Sequence, residues 1–199
     1  MDRIVTLAAA VSIALGASAQ KMKMTSGDFS ALKGQSKVDI QFTYENMKVG
    51  KKSEADYLKE KRADYEKDEA GKGDKFVQSW NDDRELRFEP KFLQLFNDEG
   101  KGPIEGGKGL EDATYAFVIQ TNMTEPGYNI GISKMPASIN ATVTLIERNG
   151  GKELGKMEVT GVPGSQFGGY DFDTGSRLAE SYAKLGKELR QYLEKKVMK

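Results

Sequence analysis

Between Ala113 and Val162 the sequence alternates apolar and polar residues three times over, and this constrains the fold more than any other feature. Tyr115, Phe117 and Ile119 alternate with Ala116, Val118 and Gln120. Ile139, Ala141, Val143 and Leu145 alternate with Asn140, Thr142, Thr144 and Ile146, and Met157 and Val159 alternate with Lys156, Glu158 and Thr160. Side chains of a strand point to opposite faces in turn, so each run can bury one face and wet the other. Asn149-Gly150-Gly151 joins the last two runs, and Asn-Gly tolerates the positive φ of tight hairpin turns. The stretch predicts three successive strands, a hairpin and its lead-in. An earlier strand follows from Val38, Ile40, Phe42 and Tyr44, which alternate with Asp39, Gln41, Thr43 and Glu45 and leave one wet face.

The segments around these strands carry helical spacing. Ser53 suits a helix N-cap, with Asp56 at the third helical position, and Gly71 and Gly73 end that helix. Its Lys59-Glu60-Lys61-Arg62 run, balanced by Asp64, Glu66 and Asp68, reads as a solvated surface. A second helical region begins near Asp74. Phe76 and Trp80 lie one turn apart, Pro90 marks a break or a fresh start, and Phe92, Leu95 and Phe96 share an apolar face. In the last helix Leu178, Tyr182, Leu185, Leu189 and Tyr192 step by three or four residues, with Asp173 or Thr174 as cap. The expected fold is α+β: a mainly antiparallel sheet of about four strands, in the order β-α-α-β-β-β-α, with the helices on one face. Residues 38–199 form one domain, and 20–37 form a flexible lead-in.

The first residues have the layout of a secretory signal peptide. Asp2-Arg3 precede an apolar run from Ile4 to Leu15, and Ala17-Ser18-Ala19 supplies a small-residue cleavage pattern before Gln20. The run is too short to span a bilayer. Residues 1–19 are therefore expected to be removed near Ala19-Gln20, leaving a periplasmic or secreted chain without a transmembrane segment.

Composition excludes more chemistry than it suggests. The chain contains no Cys and no His, which removes disulfides, thiol nucleophiles, Ser-His-Asp triads and the commonest transition-metal ligand. Lys and Arg number 30 against 30 Asp and Glu, so no net basic field favours nucleic acid. Gly102-Pro103-Ile104-Glu105-Gly106-Gly107-Lys108-Gly109 approaches the phosphate-binding pattern but ends in Gly109, where a Ser or Thr hydroxyl should hold magnesium. It also runs from helix to strand, the reverse of a phosphate-binding loop. Asp171-Phe172-Asp173-Thr174-Gly175 opens like a calcium loop but lacks the later ligands, and reads as a turn and helix cap. Ser133-Lys134 and Ser181 with Lys184, the latter expected on a helix surface, have no pattern to support a catalytic dyad.

The loop from Thr124 to Ser138 is longer than most strand connections, and its Tyr128 and Asn129 can face a partner or form an extra short strand. Several segments together resemble an uncharacterised family of exported proteins from Bacteroides-like bacteria. They are Tyr115 onward, Glu125-Pro126-Gly127-Tyr128-Asn129, Met135-Pro136-Ala137-Ser138, Gly169-Tyr170-Asp171-Phe172-Asp173-Thr174-Gly175 and the Ser181–Leu189 helix, with the Tyr57-Leu58 helix and Phe92–Asn97. That resemblance brings no activity, cofactor or catalytic residue. The element order more distantly resembles the small α+β domains of the TolB amino-terminal and CsgG-like kind, which work in envelope assemblies.

The expectation is a non-catalytic, exported envelope protein that binds another envelope protein. No cofactor, metal or catalytic residue is expected, and Tyr128, Asn129, Asp171 and Asp173 are the candidate binding residues. The alternatives are a carboxylate-based glycan-active or sugar-binding protein using Asp171 and Asp173, and an apolar ligand carrier lined by Trp80, Phe92 and Phe96.

Overall fold

The computed structural model describes residues 20–129, 134–164 and 173–199. The expected signal peptide, residues 130–133 and Asp171 lie outside the described residues.

The three alternating runs form β6 (Tyr115–Glu125), β9 (Ser138–Glu147) and β10 (Glu153–Pro163), paired antiparallel in chain order. Phe117 lies opposite Leu145, and Val143 lies opposite both Ile119 and Met157, so one apolar face runs across all three. Gly150 and Gly151 turn the hairpin with φ of 96° and 67°, a region that side chains with a Cβ resist.

The sheet is larger than expected, and mixed. It has eight strands along the path β1-β10-β9-β6-β2-β5, with β3 and β4 attached beside β6. This corrects the expected sheet of about four mainly antiparallel strands; the α+β class stands. Three physical reasons account for the difference. The segment expected as a lead-in carries β1 (Lys21–Gly27), whose Met22 and Met24 alternate with Lys21 and Lys23 at the sheet edge. Lysines on an edge strand discourage pairing with another chain. The helical segment after β2 (Lys37–Thr43) is a crossover, which brings β5 (Glu105–Gly107) and β6 back parallel to β2. The third reason is brevity: β3 (Lys48–Val49), β4 (Lys52–Ser53) and β5 span too few residues to show a period. A separate two-stranded ribbon pairs β7 (Tyr128–Asn129) with β8 (Lys134–Met135).

Between β4 and β5 lie α1 (Glu54–Asp68), α2 (Lys72–Asp83) and α3 (Glu89–Asp98), and the chain closes with α4 (Thr174–Lys196). Ser53 caps α1 as expected: its Oγ accepts from the Asp56 N–H at 3.1 Å. Helices α3 and α4 cover the apolar face of the sheet, where Ile40, Phe117, Ile119, Val143 and Leu145 meet Phe92, Phe96, Leu185 and Leu189. Each such side chain contributes about 1.5–3 kcal/mol when fully buried. The two helices come close because Gly186 leaves room; a Cβ there would sit 2.3 Å from the Phe92 carbonyl oxygen. The expected wet face of β2 is only partly wet. Asp39 is buried, accepting from the Leu110 N–H at 3.1 Å and from Gln41 at 2.8 Å.

Candidate functional site

Helices α2 and α3 are not separate. They join through a π-helical turn, Arg84–Phe88, into one helical run from Lys72 to Asp98. The Glu89 N–H donates to the carbonyl of Arg84, five residues back. Pro90 supplies the reason. Within an α-helix its ring would crowd the Leu86 carbonyl, and it has no N–H to donate. Widening the turn relieves that crowding, so the helix passes through the proline rather than breaking at it. π-turns are rare and recur at functional sites.

The turn sends its side chains three ways. Phe88 goes inward and stacks on Tyr182, with centroids 4.8 Å apart and planes 4° from parallel. The two arginines turn sideways into carboxylates. Arg84 donates to Glu54 at 2.5 Å, and the same Glu54 oxygen accepts from the Trp80 indole at 2.6 Å. The Arg84 guanidinium also lies 4.5 Å from the Tyr44 ring centre. Arg87 pairs with Asp83 at 3.0 Å and donates to Asp173 and to Ser176. Glu85 and Leu86 point out, and Leu86 is 73 % exposed.

A second polar group braces the β2 side. Glu89 is buried, pairs with Lys108, and accepts from the Tyr44 hydroxyl at 3.3 Å. Burial pushes the Tyr44 phenol well above its ordinary range, and the nearby Tyr182 and Glu89 push it further. Tyr44 is therefore a neutral hydrogen-bond donor at any physiological pH. Asp83 is raised chiefly by burial, against the opposing charge of Arg87. Burial works upward on Asp173 too, but the hydrogen bonds from Arg87 and Ser176 outweigh it and hold that carboxyl low.

Two grooves flank Leu86, and Leu86 lines both. The groove on the β2 side, about 530 Å³, is walled by Phe42, Tyr44, Asp82, Glu85 and Glu89. The groove on the α4 side, about 310 Å³, is walled by Arg87, Pro90, Lys91, Gln94, Ala179 and Glu180. An apolar ridge between two grooves, on a frame fixed by ion pairs, suits the docking of another surface. Among the described residues no group of three or more acids could hold a metal ion.

The residues chosen from sequence fall in two places. Asp173 caps α4, accepting from the N–H groups of Gly175 at 2.9 Å and Ser176 at 3.4 Å, and through Arg87 it borders the α4-side groove. Asp171 is not described. Tyr128, 41 % exposed, lines a separate cavity of about 410 Å³ with Tyr57 and Glu125, and Asn129 pairs through its backbone with Lys134 in the ribbon. Arg177 of α4 links the two neighbourhoods, donating to the Pro126 carbonyl at 3.1 Å, to the Gly127 carbonyl at 3.4 Å and to Thr174 Oγ1 at 3.2 Å. Sequence reasoning missed Leu86 because one leucine among Arg and Glu leaves no period. Pro90 inside a helical pattern was the available signal.

Other motifs resolve into structure. The glycine-rich loop meets an anion, but an internal one: the Lys101 and Gly102 N–H groups donate to Glu194 at 2.5 and 3.4 Å. Arg190, buried, donates to the carbonyls of Gly102 and Ile104. Ser181 is fully buried rather than on the helix surface. Phe92 packs edge-on against Phe42 at 5.3 Å and stacks with Phe96 at 6.0 Å, while Trp80 packs against Tyr57 at 5.1 Å, so these rings fill one another's space.

The class of protein defined here is an α+β chain with a mixed sheet, and among its described residues no helix is long and apolar enough to cross a membrane. No protein-family profile matches the sequence, and no curated protein matches it. Solved structures do match. The PelC dodecamer from Paraburkholderia phytofirmans is 14 % identical, with 84 % of this chain and 98 % of that chain covered and a TM-score of 0.40. A Xanthomonas campestris protein assigned to DUF330 is 16 % identical over 53 % of this chain and 58 % of that chain, with a TM-score of 0.36. Structural neighbours thus include PelC and a DUF330 protein, at a distance that carries no argument about function. These matches lend no support to the resemblance to the Bacteroides-like exported family or to the TolB and CsgG-like domains.

Proposed function

We propose that this chain is an exported, non-catalytic cell-envelope protein that binds another protein through the Leu86 ridge. The apolar run and Ala17-Ser18-Ala19 at its N-terminus support export to the periplasm or beyond. The absence of Cys and His supports a binding role over most familiar catalysis.

The observation that carries the reading is Leu86, 73 % exposed on a π-turn whose Arg84, Arg87 and Phe88 are held by partners. A lone exposed leucine is ordinary on a protein surface. This one separates two grooves, and Arg84, Arg87 and Glu89 on either side are held by partners before any ligand arrives. Such preorganisation lowers the ordering cost of binding. Burying the leucine in a partner contributes about 1.5–3 kcal/mol, the scale of an interface anchor inside a polar rim. Native cross-linking in the envelope, followed by pull-down and mass spectrometry, tests it. A stoichiometric partner that is lost with Leu86→Asp is expected; a partner retained by that variant, or none recovered, overturns it.

A further inference from the structure

The tip of the β9–β10 hairpin carries the one Asn-Gly pair in the sequence, Asn149-Gly150. Residues on both sides of the tip are pinned. The Glu147 N–H donates to the Lys152 carbonyl at 2.9 Å, and the Gly151 N–H donates to the Glu147 carbonyl at 3.0 Å. The Arg148 N–H donates to the Thr114 carbonyl at 3.0 Å, and its guanidinium to the Leu110 carbonyl at 2.8 Å. Asn149 and Gly150 stand outside this frame. Both are exposed, and among the described residues neither the Asn149 side chain nor the Gly150 N–H makes a hydrogen bond. Beyond its chain neighbours, no atom would lie within 4 Å of a Cβ at Gly150, so the peptide there is open to water.

The other asparagines differ. Asn97 bonds Gly106 through both ends of its amide at 2.9 Å, Asn122 donates to Thr142 Oγ1 at 2.8 Å, and Asn140 accepts from the Gly161 N–H at 2.8 Å. Asn46 precedes Met47, whose N–H is taken by the Tyr44 carbonyl at 3.3 Å. Asn81 lies inside α2, and Asn129 precedes the branched Ile130.

We propose that Asn149 is a site of spontaneous covalent modification, where the folded protein loses a side-chain amide and gains a carboxylate. The Gly150 nitrogen gives up its proton and bonds to Cγ of Asn149. The side-chain nitrogen leaves with that proton as ammonia, and a cyclic succinimide remains. Water then opens the ring. Addition at Cγ gives aspartate on an unchanged backbone. Addition at the main-chain carbonyl carbon gives isoaspartate, whose backbone runs through Cγ and is longer by a carbon. Nothing is oxidised or reduced. Gly150 favours the attack because no Cβ shields its nitrogen, and the turn needs a glycine there for its φ of 96°. The pair that lets the hairpin turn thus also supplies the reacting groups. Because Glu147, Arg148 and Lys152 are pinned by bonds that do not involve the tip, either product leaves the sheet in place. The net charge of the chain passes from zero to one negative.

Ageing the purified protein in mildly alkaline buffer made with heavy-oxygen water tests this, with a parallel sample kept unfolded in urea. Ion exchange should show a species shifted by one negative charge that grows with time in the native sample. Peptide mapping by mass spectrometry should place the change at position 149, with solvent oxygen incorporated, ahead of any change at another asparagine. An isoaspartyl methyltransferase should label part of that species, and its circular dichroism should match that of fresh protein. Conversion at Asn149 should run at a similar rate in the native and the unfolded samples, because the fold does not shelter the tip. Asn149→Gln, whose longer side chain closes a larger ring slowly, should abolish the acidic species. The proposal is overturned if Asn149 keeps its amide in the native protein while losing it in urea. An acidic species that persists in Asn149→Gln, an earlier change at another asparagine, or a product without solvent oxygen overturns it as well. Loss of the strand signal on conversion would overturn the claim that the sheet stays in place.

Discussion

Replacing Arg190 by methionine should unfasten the glycine-rich loop from α4. Arg190 is 1 % exposed, and its guanidinium does four things at once. It donates to the Gly102 carbonyl at 2.8 Å, to the Ile104 carbonyl, and to Glu194 at 3.2 Å, and it lies 5.5 Å from the Phe96 ring centre. Methionine keeps most of the apolar stem but offers no donor. The buried Ile104 carbonyl and the half-buried Gly102 carbonyl lose their partner, at about 1–2 kcal/mol each, and Glu194 loses its countercharge. Glu194 is partly solvated and keeps the Lys101 and Gly102 N–H groups, so its share is the smaller. The total comes to about 3–5 kcal/mol. For a domain of this size that corresponds to a melting temperature lower by roughly 10 °C. Urea denaturation followed by circular dichroism measures the loss, and hydrogen exchange locates it, with the β5 amides of Glu105–Gly107 the first to lose protection. A loss below about 1 kcal/mol would refute the reasoning, because it would mean the loop holds its place without the arginine.

Asp173→Ala should cost about 1 kcal/mol at neutral pH, the usual worth of an N-cap. Because the folded protein holds this carboxyl below its ordinary range, the stabilisation is complete above that range and is lost as pH falls through the folded-state value. The gap between wild type and variant should therefore close in acid; a gap that widens there contradicts the capping role. Glu54→Ala leaves the Trp80 indole N–H and the Arg84 guanidinium without their shared acceptor. It should destabilise by about 2–3 kcal/mol and shift the fluorescence of the only tryptophan, and unchanged emission would count against the bond. Burial pushes the Tyr57 phenol up to about 12, so spectrophotometric titration should lose one late-ionising component in Tyr57→Phe.

How much of this was legible in sequence varied with length and period. Strands β6, β9 and β10 were plain because each carries a run of alternating residues, Tyr115–Gln120, Ile139–Ile146 and Lys156–Thr160. The Lys-Met alternation of β1 was equally visible, but Met is not a typical strand former and Lys suggested solvent. The parallel pairing of β2 with β6 depends on where a chain returns after three helices, and no local pattern records that. At the candidate site, Asp173 announced itself as a cap from its position ahead of an apolar helix. Leu86 did not, because its meaning lies in the turn that Pro90 forces and in the two grooves that strand and helix place around it.

The central claim is that the Leu86 ridge is a protein-binding surface. The most direct measurement is site-specific photo-cross-linking in the native envelope, with the cross-linking group placed at position 86 and, as a control, at the exposed Gln78 on the same helical run. A discrete cross-linked product from position 86, absent from position 78, is the predicted result. Equal yields from both positions, or a blank from position 86, would contradict it.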